Sequence, residues 1–438
     1  MRNELNWIQD LPGGWESMPL KAIANYSVSN VDKISKKDEI LVELCNYTDV
    51  YNNDFITSDL EFMLASATEE EIRKFQLNIG DVLITKDSES WDDIGIPALV
   101  IETKEKLLCG YHLAIIKANQ TKIIPEYLFR CIEAKIIRIQ LELASTGVTR
   151  FGLPKDEIGR LKLPIPNLSI QEKIISFLKT ELLFIDRLIA QKEQLIHLLS
   201  EKRQALITQA VTRGLDPNVK LKSSGVDWLG DVPEHWDVIQ MKYLASEPLM
   251  YGANEAALDD NPNNPRFIRI TDINNDGSLR DDTFKSLEMD IAKDYLLDDG
   301  DLLFARSGAT VGKAFLYKKE WGICCFAGYL IRMRSNRKRI LPEFLILITE
   351  SSYYWNQIYT ELIQATIQNF SGEKYSSMKI ILPDMNEQNA IVTFLKIELN
   401  KIDELSKLTE KTILLLKERR TALISAAVTG QIEIPEIS

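Results

Sequence analysis

The chain contains an internal repeat, and this repeat limits the folds that its 438 residues can form. The segment NWIQDLPGGW, which ends at Trp15, returns as DWLGDVPEHW, which ends at Trp236, 221 residues later. IGDVLITK (79–86) returns as DGDLLFAR (299–306), and from residue 124 onward the displacement stays at 217. Because the matches keep one order along both halves, the sequence predicts two copies of one structural unit.

Each half ends in a tail of about 40 residues in which apolar positions alternate steps of three and four. Adding 217 to the first tail places the second in the same heptad frame. We interpret the tails as two long helices that pair as a coiled coil, the alternative being two separate core helices. The predicted seam residues are Leu178, Leu182, Ile185, Ile189, Ile196, Leu199, Leu395, Leu399, Ile402, Ile413 and Leu416.

The bodies that precede the tails have the pattern of mixed helix and sheet. Short β-branched runs such as GDVLIT and YLIRMR predict strands, and the stretches 125–145 and 342–365 each predict one sizeable helix that opens with proline. The predicted fold class is α+β, with two similar bodies separated by a long antiparallel two-helix coiled coil and related by a pseudo-twofold repeat. The predicted boundaries are 1–166 for the first body, 167–213 for the first tail helix, 214–235 for a linker, 236–383 for the second body and 384–430 for the second tail helix.

Composition excludes several classes of protein. No run of 18 apolar residues could span a bilayer, and residues 1–15 lack the pattern of a signal peptide, so we predict a cytoplasmic location. Five cysteines without a C-x-x-C pair argue against a disulfide framework and a cysteine zinc site. The net charge of −12 would repel a polyanion, so any contact with nucleic acid requires local clusters of basic residues.

The motifs of the common catalytic sites are missing from the sequence. There is no phosphate-binding G-x-x-x-x-G-K-[ST] loop, and GATVGK (308–313) has the wrong spacing. Neither the glycine-rich turn nor the Asn/Asp-Pro-Pro-aromatic pocket of a methyltransferase occurs. His112, His197 and His235 are scattered and fit no metal-ligand pattern. We therefore predict a chain with no active site, no metal and no cofactor of its own.

The order of body, tail, body and tail resembles the specificity subunit of type I restriction-modification systems, and the resemblance covers nearly the full chain. The segments that carry it are LPIPNLSIQEKIISFL, GLDPNVKLKSSGVDWLGDVPEHW, EKRQALITQAVTRG and ERRTALISAAVTG. It implies that 1–166 and 236–383 are target recognition domains, which read the two halves of an asymmetric, bipartite double-stranded DNA target. It also implies a non-catalytic chain, with two methyltransferase (modification) subunits and two restriction subunits as partners that use S-adenosylmethionine, ATP and Mg²⁺.

Loops that combine glycine with polar side chains are the candidates for reading base edges, because these side chains carry matching donors and acceptors. The predicted DNA-binding residues are Lys86, Ser88, Thr149, Arg150, Arg306, Ser307, Lys313, Gln368 and Asn369. A further run of basic residues at 332–339 fits either phosphate binding or a solvated hairpin end. The alternative function is a non-DNA adaptor, in which the coiled coil spaces two protein-binding modules.

Overall fold

The computed structural model describes residues 8, 10–226, 229–274, 277–363 and 369–434. The chain divides into two compact units, which we call unit 1 (Met1–Glu193 with Lys411–Ser438) and unit 2 (Gln194–Glu410). Each unit contains one body and one segment from each of the two long helices. No helix in the described part of the chain is long and apolar enough to cross a membrane.

The body of unit 1 is built on a five-stranded sheet with the strand order β2-β10-β6-β8-β4. Smaller sheets have the orders β5-β3-β9, β1-β13 and β11-β12-β7. All four residues of β6 are buried, which fits an apolar run that is covered on both faces. The strands are β1 (Glu16–Pro19), β2 (Ala24–Val28), β3 (Ile40–Cys45), β4 (Phe55–Ile56), β5 (Met63–Ala67), β6 (Val82–Thr85), β7 (Asp87–Ser88), β8 (Pro97–Val100), β9 (Leu107–Cys109), β10 (Leu113–Ala118), β11 (Thr146–Gly147), β12 (Phe151–Gly152) and β13 (Lys162–Ile165).

The helices of unit 1 cover this sheet, and Tyr127, Leu128 and Phe129 belong to its core. Proline at the first position starts the helix after β10, where its missing N–H costs no hydrogen bond. The helices are α1 (Tyr47–Asn52), α2 (Glu69–Phe75), α3 (Pro125–Glu133), α4 (Lys135–Ala144), α5 (Lys155–Arg160) and the first part of α6 (Leu168–Arg213).

Unit 2 has a four-stranded sheet of order β17-β22-β19-β20 and the pairs β14-β15, β16-β23 and β18-β21. Its strands are β14 (Leu221–Ser223), β15 (Asp231–Pro233), β16 (Asp237–Gln240), β17 (Met250–Tyr251), β18 (Arg266–Ile268), β19 (Leu302–Ala305), β20 (Ala314–Leu316), β21 (Cys324–Phe326), β22 (Leu330–Met333) and β23 (Lys379–Leu382). Its helices are α7 (Met289–Ala292), α8 (Pro342–Thr349), α9 (Ser352–Ile363), α10 (Gly372–Ser377) and α11 (Met385–Val428), the last of which ends in unit 1. Short 3-10 helices in the chain are Leu20–Ala22, Met241–Tyr243, Ile270–Asp272, Asp281–Thr283, Lys293–Tyr295, Gly308–Thr310 and Lys319–Trp321.

The sequence repeat is also a repeat of hydrogen bonds. The side chain of Gln171 accepts a bond from the N–H of Ile124 and donates to the carbonyl oxygens of Lys122 and Pro166. Gln388, 217 residues later, makes the same three bonds in unit 2, with Leu341, Arg339 and Pro383 as its partners. Both amides thus join the start of a long helix to the segment before α3 or α8.

The two long helices run antiparallel within each unit. In unit 1, Leu178 and Leu182 of α6 share a core with Ile424 and Val428 near the end of α11. In unit 2, the end of α6 shares a core with the start of α11, with members Ile207, Ala210, Val211, Ile391, Leu395 and Leu399. All eleven predicted seam residues are buried or half-buried. The same cores include residues of the bodies, so the seam packs against more than the opposite helix.

The α+β fold with two similar domains is confirmed, but two local predictions differ from the structure. Each stretch predicted as one helix forms two, because Ala134 leaves helical geometry between α3 and α4 with ψ 113°, and Glu350 and Ser351 separate α8 from α9. In addition, the predicted linker 214–235 contains the β14–β15 hairpin. Its side chains show no helical periodicity, but its backbone donors are satisfied by strand pairing.

Candidate nucleic-acid interface

In unit 1, polar loop residues meet at the end of β6. Lys86 directly follows this buried strand, and its Nζ lies 2.8 Å from Oδ2 of Asp87 and 4.9 Å from the centre of the Tyr111 ring. The ring of Tyr111 is largely exposed. The end of this strand therefore places a largely buried lysine, paired with Asp87, beside an exposed aromatic ring.

A hairpin formed by β11 and β12 brings a second loop to this point. Phe151 pairs with Ser88 and Gly152 with Asp87, so residues 146–152 lie beside the end of β6. Gly147 has φ +144°, and a Cβ there would lie 1.9 Å from the carbonyl oxygen of Arg150. Glycine is therefore required for the tight turn, which leaves three exposed side chains at its tip, Val148, Thr149 and Arg150.

His112 and Asp87 connect the two loops, and sequence reasoning missed both. Nδ1 of His112 lies 2.8 Å from Oδ2 of Asp87, while Nη2 of Arg150 lies 3.2 and 3.3 Å from the two ring nitrogens. Burial raises the pKa of the Asp87 carboxyl, but hydrogen bonds from Lys86 and His112 lower it by more, so the pKa lies below the usual value. The signal that could have found His112 is its position directly before β10, the strand that pairs with β6.

The end of β19 in unit 2 has an equivalent backbone hydrogen bond and different side chains. Arg306 follows β19 as Lys86 follows β6, and its N–H donates to the carbonyl of Tyr329 as that of Lys86 donates to His112. The Arg306 guanidinium lies 4.9 Å from the centre of the Tyr251 ring, and its Nη1 donates to the Gly328 carbonyl at 3.3 Å. Its Nε is buried and has no hydrogen-bond partner among the described residues.

The remaining predicted residues lie in different environments. Ser307 pairs with Asn369 through a β-bridge, and Asn369 is exposed. Lys313 is exposed, and its carbonyl accepts the N–H of Ala305. Ser88 is buried, and its hydroxyl accepts the N–H of Ser90, so this oxygen is engaged inside unit 1. Gln368 lies outside the described residues.

Carboxylates neutralise much of the basic run at 332–339. Arg332 pairs with Glu247 at 2.6 Å, Arg334 with Asp301 at 2.8 Å and Arg337 with Asp299 at 3.4 Å. These pairs favour a structural role for the run over phosphate binding. In contrast, no carboxylate partner is present for Arg150 or Arg306 in the part of the chain that the structure describes.

No group of three or more His, Cys, Asp or Glu residues that could hold a metal ion occurs within the described ranges. The polar clusters at the ends of β6 and β19 contain arginine, lysine, imidazole, amide and hydroxyl groups around exposed aromatic rings. Such groups suit hydrogen bonding to base edges and stacking on planar ligands.

Comparison with known sequences identifies the class of protein to which these two units belong. The profile of the type I restriction modification DNA specificity domain matches residues 12–198 and again residues 234–415. The chain therefore belongs to the family of type I restriction-modification specificity subunits, and its two bodies are target recognition domains.

The similarity to individual relatives is low in identity and extends over nearly the whole chain. The EcoKI specificity subunit of Escherichia coli K12 is 23% identical over 96% of this chain and 90% of its own length. The MjaVIII specificity subunit of Methanocaldococcus jannaschii is 21% identical over 98% of this chain and 95% of its own length. The HsdS subunit of Thermoanaerobacter tengcongensis has the same fold, with a TM-score of 0.56 at 17% identity over 96% of this chain and 98% of its own.

A second solved structure is more similar in fold. It comes from work on complex assembly and conformational transition of the type I R-M system, and it has a TM-score of 0.73 at 16% identity. The match covers 96% of this chain and 99% of the other. At this level of identity the comparison establishes the fold of both repeats.

Proposed function

We propose that this chain reads an asymmetric, bipartite sequence in double-stranded DNA and directs partner methyltransferase and restriction subunits to it. Each target recognition domain reads one half of the target. The chain itself carries out no catalysis.

The observation that carries this proposal is that the two units present equivalent loops with different side chains. Lys86 and Arg306 occupy one equivalent position, and His112 and Tyr329 occupy another, as their backbone hydrogen bonds show. Because base edges are distinguished by their donors, acceptors and methyl groups, two scaffolds with different side chains at the same places suit two different half-sites.

The acidic net charge is compatible with this function. Contacts to phosphates supply most of the affinity for DNA, whereas contacts to bases supply the specificity. Partner subunits that also hold the duplex would contribute phosphate contacts, so this chain needs only local groups without carboxylate partners. Arg150 and Arg306 are such groups among the described residues, and both belong to the loops beside β6 and β19.

The partners we propose are two methyltransferase subunits and two restriction subunits in the cytoplasm. They, and not this chain, would use S-adenosylmethionine, ATP and Mg²⁺. Leu198 of unit 2 and Leu415 of unit 1 are 217 positions apart, and both are about half exposed on the long helices. An exposed leucine at the same repeat position in each unit suits a partner that binds in two copies.

The experiment is sequencing of methylated bases in cells that express a methyltransferase subunit with this chain, without it, or with the loop variant Arg150→Ala/Arg306→Ala. We expect a bipartite methylated motif that requires this chain and weakens or changes in the variant. The purified chain alone should transfer no methyl group. Failure to bind any duplex at any salt concentration, even with the methyltransferase subunit present, would instead support an adaptor for proteins.

A further inference from the structure

We propose that Arg150 reads a guanine in the half-site bound by unit 1, and that His112 and Asp87 are positioning residues that orient its guanidinium. This inference rests on the proposed DNA-binding function and deepens it. It assigns a chemical task to three residues that are far apart in sequence and meet where β7, β10 and β12 come together.

The first step concerns the donors of Arg150. The Nη2 group of Arg150 is directed at the imidazole of His112 and lies almost equidistant from its two nitrogens, at 3.2 and 3.3 Å, which anchors one edge of the guanidinium on the ring. The remaining N–H groups of the Arg150 guanidinium have no hydrogen-bond partner among the described residues, so they stay available. Those groups form the planar fork that binds O6 and N7 of guanine in the major groove.

The second step concerns the side chains that hold the imidazole in place beside the guanidinium. Oδ2 of Asp87 accepts hydrogen bonds from Nδ1 of His112 and from Nζ of Lys86, each at 2.8 Å. The bond from His112 fixes the rotation of the imidazole, and the bond from Lys86 holds the carboxylate that accepts it. The side chains therefore form a chain of contacts in the order Lys86, Asp87, His112 and Arg150.

The third step concerns the shape of the hairpin. A two-stranded β-ribbon is narrow enough to enter the major groove. Val148 is almost fully exposed at the tip, next to Thr149 and Arg150. The tip therefore places an apolar group, a hydroxyl and a guanidinium in sequence on an element of suitable width.

Unit 2 supports the inference because it also holds an arginine against a ring, with different side chains around it. Ser307 follows Arg306 where Asp87 follows Lys86, and Tyr329 replaces His112, so the carboxylate and imidazole support is missing there. Instead, Arg306 lies over the Tyr251 ring. Each unit thus holds an arginine without a described carboxylate partner against a ring, and we expect Arg306 to read a base in the other half-site.

The test uses the complex of the full chain with its methyltransferase subunits and a DNA library in which each base of the methylated motif is replaced in turn. Arg150→Ala should reduce discrimination at one G·C pair of one half-site by about 10- to 100-fold and leave the other half-site unchanged. His112→Ala should also reduce discrimination at the same G·C pair. His112→Phe, which keeps an aromatic ring beside the guanidinium, should restore part of that discrimination.

Two controls distinguish a loss of base recognition from the loss of one positive charge and from a loss of folding. Arg73→Ala removes one exposed arginine of α2, which belongs to neither of the loops at the end of β6, and should leave preference at every position unchanged. Thermal unfolding of Arg150→Ala and of Arg73→Ala should match that of the unaltered chain, because both side chains are exposed.

Two outcomes would overturn the inference. A uniform loss of methylation in Arg150→Ala, with unchanged preference at every base, would make Arg150 a phosphate contact. Unchanged preference in His112→Ala would remove the positioning role of His112. Both results differ from failure of the proposed function, in which the unaltered complex would methylate no bipartite motif at all.

Discussion

The ion network around Arg420 allows a quantitative test of how the tail helices hold the bodies. In unit 1, the guanidinium of Arg420 lies 2.7 Å from Glu133, 2.9 Å from Asp54 and 3.1 Å from Asp186. Burial lowers the pKa of Arg420, but the three carboxylates raise it by more, so the group stays charged. The perturbation we choose is Arg420→Met, which keeps most of the apolar stem and removes the charge.

The expected loss of stability follows from the exposure of the charged side chains. The side chain of Arg420 is 22% exposed and that of Glu133 is 12% exposed, and breaking a buried ion pair costs about 3–5 kcal/mol. Asp54 and Asp186 are half-exposed, and Glu133 keeps a second partner in Arg130 at 2.6 Å, so we expect a loss below this range, of about 2 kcal/mol. In unit 2, Arg203 is 34% exposed and its partner Glu350 is 38% exposed, so Arg203→Met should cost about 0.5–1 kcal/mol.

The assay is hydrogen exchange of the full chain, read separately on peptides from α3 and from residues 411–428. Peptides from α8 in unit 2 serve as the internal control. A double-mutant cycle with Glu133→Gln should give a coupling energy of about 1 kcal/mol, because the two groups are in direct contact. A coupling close to zero, or a larger loss in Arg203→Met than in Arg420→Met, would refute the reasoning from burial.

Three further predictions concern the packing of the chain. Leu182 is buried in the core of unit 1, so Leu182→Asp should destabilise the unit by about 3 kcal/mol or more, while exposed Lys179→Asp should leave the melting temperature nearly unchanged. Burial raises the pKa of Cys324 to about 11 and that of Cys325 to about 12, so these thiols should stay unreactive toward a disulfide reagent at neutral pH until the chain is unfolded; rapid labelling of the folded chain would contradict this. A fragment that ends at Arg213 lacks the α11 segment that completes unit 1. Residues 194–213 of a second copy are equivalent to that segment in the repeat and can take its place, so we expect the fragment to form a dimer. A monomer in sedimentation would disprove this prediction.

The sequence predicted the features that depend on spacing along one element. The heptad pattern predicted the two tail helices, because helical periodicity places apolar residues on one face whichever residues they contact. The equivalent positions of Gln171 and Gln388 follow from the constant displacement of 217, and the structure gives both the same three bonds.

The features that the sequence did not predict depend on contacts between distant segments. His112 lies 25 residues from Asp87 and 38 from Arg150, and only the register of β6, β10 and β12 brings them together. The break between α3 and α4 falls at Ala134, a residue that favours helix, so packing on the sheet and not local preference sets it. The run at 332–339 looked basic because its partners, such as Glu247 and Asp301, are far away in sequence.

Ion pairs at the ends of α3 and α8 attach each body to the long helix of the opposite repeat. Arg203 belongs to the first repeat and binds Glu350 and Asp403 of the second, whereas Arg420 belongs to the second and binds Glu133 of the first. Glu133 and Glu350 lie at the ends of α3 and α8, away in sequence from the loops that follow β6 and β19. These ion pairs and the loops that we propose for recognition therefore use separate residues, so the loop side chains can differ between the two bodies without a change in these ion pairs.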